Sequence, residues 1–444
     1  MIELNYFQQN FELSPTLAAN ETVNRLRAQG RTIIHMGFGQ APFPIHERLT
    51  KGLAEHAGNN KYLPAIGVDE LREVIMSYYS DILDVNPETH DVVVAPGSKL
   101  ILFAAQMAVK GDLLMPVPSW VSYAPQAHML GTEVIKVPTR LDDDGYHIDP
   151  YSLQQAIDNA REQGFNPNKI ILNYPNNPTG LTISDPELEA IAEVCVKNDI
   201  LIISDEIYGL LSYDGIYRSV SEFAPKHTLV TTGLSKHMAL GGWRMGLAIV
   251  PKAINGLTSL IQSIASETWS CVPSPVQYAV MEAYKRHKDV EQYIQDCCEI
   301  YSYLGTYIAE GLRKIGITCA LPQGAFYVYP NFAPYREALL RKGVRTSEEL
   351  VSYLLEAYGL VSLPGTAFGE EPEVLTMRLS CCDCDGTEVL QAYQNGEELN
   401  ADFVARHAPN IDLGLKAFAA CVDAQNIENF GTVISIRTPA LVDA

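Results

Sequence analysis

Short apolar runs recur along the middle of the chain, at Asp91–Ala95, Leu113–Pro116, Glu133–Val137, Lys169–Asn173, Leu201–Ser204, Thr228–Thr232 and Leu247–Val250. Most are rich in β-branched residues and do not alternate with polar ones, the pattern of strands buried on both faces. Stretches with helical spacing separate several of them: Ser98–Lys110, Tyr151–Gln163 and Asp185–Lys197. The alternation predicts an α/β fold, with a mainly parallel sheet of roughly seven strands covered by helices on both faces.

Past residue 285 the pattern changes. An amphipathic helix is expected over Asp289–Ile315, then strands at Thr318–Leu321 and Ala325–Tyr329. A helix at Ser347–Tyr358 follows, with further strands near Leu360–Leu363 and Leu375–Ser380. These read as a smaller α+β unit. We expect a large domain over residues 46–285, and a small domain with an N-terminal arm built from 1–45 and 286–444. The segment Gly386–Asn410 and the tail after Asn429 carry no motif.

Composition narrows the partners. Carboxylates outnumber Lys and Arg 53 to 32, a net charge of −21, which argues against nucleic acid or anionic lipid. No apolar run approaches the ~18 residues of a membrane helix, and the first residues lack a basic segment followed by an apolar core. A cytoplasmic protein is therefore expected, with its nine cysteines as reduced thiols. The cluster Cys381-Cys382-Asp383-Cys384 has no second Cys/His pair at finger-like spacing, so we read it as packing and expect no metal.

The chemistry gathers at the ends of the predicted strands, where open parallel sheets bind ligands. Asp91–Ala95 leads into Pro96-Gly97-Ser98-Lys99, a glycine turn opening a helix and a ready site for phosphate. Lys169–Asn173 leads into Tyr174-Pro175-Asn176-Asn177-Pro178-Thr179-Gly180, and Leu201–Ser204 into Asp205-Glu206-Ile207-Tyr208. Thr228–Thr232 leads into Gly233-Leu234-Ser235-Lys236, with Arg244 eight residues on. Singly, Lys236 reads as a solvated lysine and Asp205 as a helix cap. Together they bring an amide, an acid, a phenol, an amine and a guanidinium to one sheet edge.

The segments NNPTG, SDEIY and SKHMALGGWRMG resemble the signatures of class I/II aminotransferases, pyridoxal-phosphate enzymes of fold type I similar to aspartate aminotransferase. The likeness runs from HMGFGQAPFP through KYLPAIGVDELR, MPVPSWVSY, PQGAFYVYP and LPGTAFG to MRLS. It implies pyridoxal 5′-phosphate as cofactor and Lys236 as the amine that condenses with its aldehyde and then moves the substrate proton. It further implies that Asp205 pairs with the ring nitrogen, that Tyr208 and Asn177 hydrogen-bond the ring hydroxyl, and that Trp120 stacks on the ring. Ser98, Lys99, Ser235 and Arg244 resemble the phosphate cradle. Many relatives carry Ser or Thr where this chain has Gly233, so one hydroxyl contact to phosphate is expected to be missing. Tyr62 matches a tyrosine that reaches the neighbouring subunit's phosphate, implying a homodimer with shared sites. Arg378 and the backbone of Gly39 match the grip on the substrate α-carboxylate, beside Trp120 and Asn177.

The expected reaction is transfer of the amino group of an α-amino acid to a 2-oxo acid. The alternative on the same residues is β- or γ-elimination, or an aminocyclopropane-carboxylate-synthase-like reaction. A regulatory pseudoenzyme is disfavoured because the full catalytic set is present. No arginine occurs between Pro251 and Tyr284 to read a distal substrate carboxylate. A second group of aspartate aminotransferases, similar to this chain at GxK and WVSY, uses the lysine here numbered Lys99 for that purpose. An acidic donor such as aspartate is therefore favoured, and an aromatic one comes next.

Overall fold

The computed structural model describes residues 13–142 and 145–426. Its main sheet has seven strands, numbered here in chain order: β1 (His90–Ala95), β2 (Asp112–Val117), β3 (Val134–Pro138), β4 (Pro167–Asn173), β5 (Leu201–Asp205), β6 (Thr228–Gly233) and β7 (Gly246–Pro251). All seven fall on the apolar runs read from the sequence. Their spatial order is β1-β7-β6-β5-β4-β2-β3. β7 runs antiparallel to both neighbours, and every other adjacent pair is parallel.

Alternate residues of the inner strands serve two different cores, which is why most of the runs do not alternate with polar residues. On one face Val93, Ala95, Ile203, Leu229 and Ala248 pack with Ile101 and Leu102 of the helix Ser98–Ala108. On the other, Val92, Val94, Val230, Leu247 and Ile249 join a core shared with the long helix Lys288–Lys314, which buries Val290, Cys297, Leu304, Ile308 and Leu312 along one stripe. The sheet is thus covered on both sides.

Register then fixes the site. Asn173 of β4 pairs with Asp205 of β5, and Asp205 with Thr231 of β6. Gly246, opening β7, lies between Gly233 and Ala95. Every one of these residues sits at the same edge of the sheet.

The C-terminal elements follow the expected order, with two corrections. The helix Ser347–Tyr358 has a reciprocal cap, Glu349 N donating to Thr346 Oγ1 and Thr346 N to Glu349 Oε2, and stops at Gly359 in the left-handed region. Thr318–Leu321 is not a strand and contributes a single bridge, Thr318 to Asn331. Its Cys319 carbonyl is taken by Arg313 Nε, Leu321 faces solvent, and Pro322 follows. Ala325–Tyr329 shortens to Tyr327–Val328, because Ala325 takes a left-handed conformation at φ +58°. That pair joins Met377–Ser380 and Leu363–Pro364 in a three-stranded sheet. The motif-free segment Gly386–Asn410 holds helices at Gly386–Gln394 and Ala401–His407. The tail after Asn429 lies outside the described residues. Cys381 is a buried core residue, and neighbouring Asp383 accepts a hydrogen bond from His35 N. No helix among the described residues is long and apolar enough to cross a membrane.

Gly246 is the tightest point of the arrangement. A Cβ there would lie 2.2 Å from Ser98 N and 2.4 Å from the Gly97 carbonyl carbon, both backbone atoms. Gly246→Ala should therefore destabilise the apoprotein by ~1–3 kcal/mol, as overpacking does. Gly242→Ala, whose added carbon meets nothing within 4 Å, should leave the melting temperature nearly unchanged. Equal melting temperatures for the two variants would contradict the packing described.

Candidate active site

A cavity of about 150 Å³ opens at the carboxyl edge of the sheet. It brings together Gly39, Ser98, Lys99, Trp120, Asn177, Asp205, Tyr208, Lys236 and Arg378, all expected site residues. Lys236 follows β6 by three residues, and its Nζ donates to the Gly39 carbonyl at 2.8 Å. No carboxylate among the described residues pairs with it directly. Loss of hydration lowers its pKa to about 8, with Arg378 and Arg244 pushing the same way and Asp205 opposing them.

Asp205 ends β5 and is buried. Oδ2 accepts from the Tyr123 hydroxyl at 2.7 Å, while Oδ1 is buried with no hydrogen-bond partner among the described residues. Burial raises the carboxyl to about 6 against that hydrogen bond. Glu206, the adjacent acid, points away from the cavity into a polar nest, accepting from Ser204 Oγ at 2.7 Å and Ser219 Oγ at 2.5 Å.

Arg378 is 1% exposed and has no carboxylate partner among the described residues. Its Nη1 donates to Asn177 Oδ1 at 2.9 Å and its Nη2 to the Gly37 carbonyl at 2.7 Å, while Nε has no partner. Its guanidinium carbon lies 4.4 Å from the centre of the Tyr327 ring and 5.2 Å from that of Phe368. Two of its donors are spent on positioning, and the residue lines the cavity. The Tyr208 hydroxyl meets that of Tyr327 at 2.9 Å. Gly39 is required at its position, since a Cβ would fall 2.0 Å from the Tyr327 hydroxyl oxygen.

The glycine turn is held by Arg244. Gly97 has φ +90°, and a Cβ on it would lie 2.1 Å from Arg244 Nη2. Arg244, itself left-handed at φ +57°, donates to the carbonyls of Gly241 and Pro96. Arg244 and Ser235 flank the cavity without lining it. The glycine at position 233 has a steric reason: a Cβ would lie 2.6 Å from the Met245 carbonyl oxygen, so no hydroxyl side chain fits. Lys99 Nζ lies 5.0 Å above the Trp120 ring and is surface-exposed at the cavity mouth. Its pKa is lowered by partial desolvation and by Arg244. Tyr62 lies elsewhere and is 90% exposed.

Sequence reading missed four participants. Tyr123 and Tyr327 sit inside the quoted segments MPVPSWVSY and PQGAFYVYP, where an aromatic near a strand end was the available signal. Asn173 donates to the Asp205 carbonyl at 2.7 Å and accepts from Asn177 N at 2.8 Å, which locks the Asn177 loop onto β5. The N-terminal helix Pro15–Ala28 brings Thr16 over the cavity, and nothing in its local sequence signals this.

An amine free of ion pairing, a buried acid with one open oxygen, and a glycine turn at a helix start clasped by a guanidinium fit pyridoxal phosphate. Each matches one of its groups: aldehyde, ring nitrogen and phosphate. Fold and site together define a pyridoxal-phosphate enzyme of fold type I. The chain belongs to the aminotransferase class I and II family, whose model matches residues 31–394. It is 33% identical to an aspartate aminotransferase of Geobacillus stearothermophilus, over 86% of this chain and 95% of that one. It is 32% identical to an asparagine–oxo-acid transaminase of Streptococcus mutans, over 84% and 94% of the respective chains. Among solved structures, the aspartate aminotransferase from Thermus thermophilus with maleate superposes with a TM-score of 0.79 at 28% identity, covering 95% of this chain and all of that one. The protein is a pyridoxal-phosphate-dependent aminotransferase.

The raised Asp205 pKa has a measurable consequence. The folded protein holds that proton more tightly than the unfolded chain, whose value is ~3.9. Stability from this group is therefore complete below pH ~4 and is lost as pH rises through about 6. In the apoprotein, Asp205→Asn should gain on the parent by ~2–3 kcal/mol between pH 4 and 7, then level off. Urea melts across that range would read it; a constant difference would show an ordinary carboxylate at 205.

Proposed function

We propose that the protein transfers the amino group of an acidic α-amino acid, with aspartate the favoured donor, to a 2-oxo acid. The observation that carries the reading is Lys99: an exposed cation at the mouth of the cavity, free of ion pairs among the described residues. Relatives named for aspartate support it, as does the Thermus structure with maleate, itself a dicarboxylate.

When bound, pyridoxal phosphate supplies an aldehyde that condenses with amines and a ring that draws electrons from the α-carbon. In the proposed cycle Arg378 takes the substrate α-carboxylate on the donors left free by Asn177 and Gly37, with the backbone of Gly39 alongside. Lys99 takes the distal carboxylate. Lys236 Nζ, poised at about 8, accepts the α-proton and returns it on the other side of the transfer. Asp205 Oδ1 would hold the ring nitrogen in its protonated form, with Tyr123 holding Oδ2. Tyr208 and Asn177 would hold the ring hydroxyl, and Trp120 would pack on the ring. Ser98, Ser235, Arg244 and the Lys99 amide would hold the phosphate.

Residues 46–285 are proposed as the cofactor domain, and 1–45 with 286–444 as the small domain that carries Arg378. The exposed Tyr62 ring supports a homodimer in which it reaches the partner's phosphate. Buried thiols such as Cys195 and Cys297 fit a cytoplasmic location, which fractionation of source cells would test.

Lys236→Ala should lose ~10³-fold or more in kcat while still binding pyridoxal phosphate. Mixing it with Tyr62→Phe subunits should restore activity above either parent, since one site of each heterodimer is then intact. Absence of recovery after proven subunit exchange would count against sharing.

Lys99→Ala is the test of the donor. A desolvated charge pair that loses one partner costs roughly 2–5 kcal/mol. The variant should therefore lose at least ~30-fold in kcat/KM for aspartate, and only a few-fold for phenylalanine. Equal losses for both donors would assign Lys99 to phosphate instead.

A further inference from the structure

Arg378 is clamped between two aromatic walls of different origin. Tyr327 is paired with Ser380, two residues beyond Arg378 on the same strand. Phe368 belongs to the short turn Gly365–Phe368, which lies outside every sheet. Something other than strand pairing must hold that wall.

The residue two places on supplies the hold. The Glu370 carboxyl is largely buried and faces three hydroxyls. Tyr329 donates to Oε2 at 2.6 Å, Thr376 Oγ1 donates to the same oxygen, and Tyr146 donates to Oε1 at 3.3 Å. No cation pairs with it among the described residues. Burial raises its pKa, and the three hydroxyls act against that rise. A carboxylate accepts at both oxygens and is suited to three converging donors.

The donors come from separate parts of the chain. Thr376 and Tyr329 belong to the strands that carry Arg378 and Tyr327, or directly adjoin them. Tyr146 stands on a hairpin, Arg140–Asp142 with Gly145–His147, that follows β3. Adjoining contacts tie the same strap to the main sheet: the Phe368 carbonyl accepts from Ser119 N at 2.9 Å, and Glu371 pairs with Lys136 of β3 at 3.0 Å. The rings of Tyr146, Tyr329 and Phe368 stand edge to face, with centroids 5.9 Å apart in each step. Phe368 also packs with Val121 and Trp120. A continuous line of contacts therefore joins Glu370 to both the guanidinium and the aromatic floor of the site.

We propose that Glu370 is a positioning residue for substrate carboxylates: it fixes the Phe368 wall against Arg378 and makes the grip depend on its contact with Tyr146 of the hairpin that follows β3. The inference rests on the reading of Arg378 as the α-carboxylate anchor. Because donor and acceptor both carry that carboxylate, loosening the wall weakens both and leaves proton transfer at Lys236 alone.

Glu370→Gln keeps the shape but offers an amide where hydroxyls donate. In the holoenzyme its KM for aspartate and for 2-oxoglutarate should both rise ~10-fold, with kcat within ~3-fold of the parent. Maleate, a dicarboxylate that does not react, should bind ~10-fold more weakly by calorimetry, with the bound-cofactor absorbance and its pH titration unchanged. Tyr146→Phe, which removes one hydroxyl and no charge, should raise both KM values in the same direction by ~3-fold. Arg378→Ala serves as the reference. If it weakens maleate while Glu370→Gln and Tyr146→Phe do not, the Glu370 inference alone fails. If Arg378→Ala leaves maleate binding intact, the anchor reading fails and the inference falls with it. Loss of cofactor or of melting temperature at unchanged KM would make Glu370 merely structural and overturn the proposal.

Discussion

The site depends on strand register at one edge of one sheet. A slip by one residue between β4 and β5 would turn Asn173 or Asp205 to the opposite face, because side chains alternate along a strand. Burial on both faces forbids that slip, since Val, Ile and Leu would trade places with polar ends. The same cores that stabilise the sheet therefore aim its last residues. Gly246 completes the constraint, with room for no side chain between β7 and the turn that opens the helix Ser98–Ala108.

Within that frame the charged groups are left short of partners. Among the described residues, Lys236 has a carbonyl and no carboxylate, Asp205 has one oxygen without a hydrogen bond, and Arg378 Nε has no partner. Buried charges in this state are costly, by several kcal/mol for each ion in typical proteins. On the proposed roles the missing partners are the cofactor and the substrate carboxylate, so binding would relieve what folding leaves strained. The aromatic walls around Arg378 fit the same logic, giving the guanidinium attractive faces without neutralising it.

The main sheet was legible in the sequence because its strands are continuous apolar runs, and the strand-end residues because their order is so specific. What stayed hidden depends on distant contacts. Tyr123 lies 82 positions from the Asp205 it holds. Thr318–Leu321 reads as a strand by residue type, yet a single arginine side chain claims its carbonyl. Glu370 reads as one more acid in an acidic loop, and only the convergence of Tyr146, Tyr329 and Thr376 distinguishes it. Gly233, read as a lost phosphate contact, is required by the approach of Met245 and Gly246.

The hydrogen bond from Arg378 to the Gly37 carbonyl spans 341 positions, and that from Lys236 to Gly39 spans 197. Both closures involve residues 37–39, made before any strand of the sheet, and the first waits for a residue made after all of them. A nascent chain that has released all seven sheet strands, through Pro251, still lacks the guanidinium, its two aromatic walls and the strap that carries Glu370. During translation the sheet edge exists before the pocket does. The pocket is sealed only when the elements that carry Tyr327, Phe368 and Arg378 fold back onto residues 37–39.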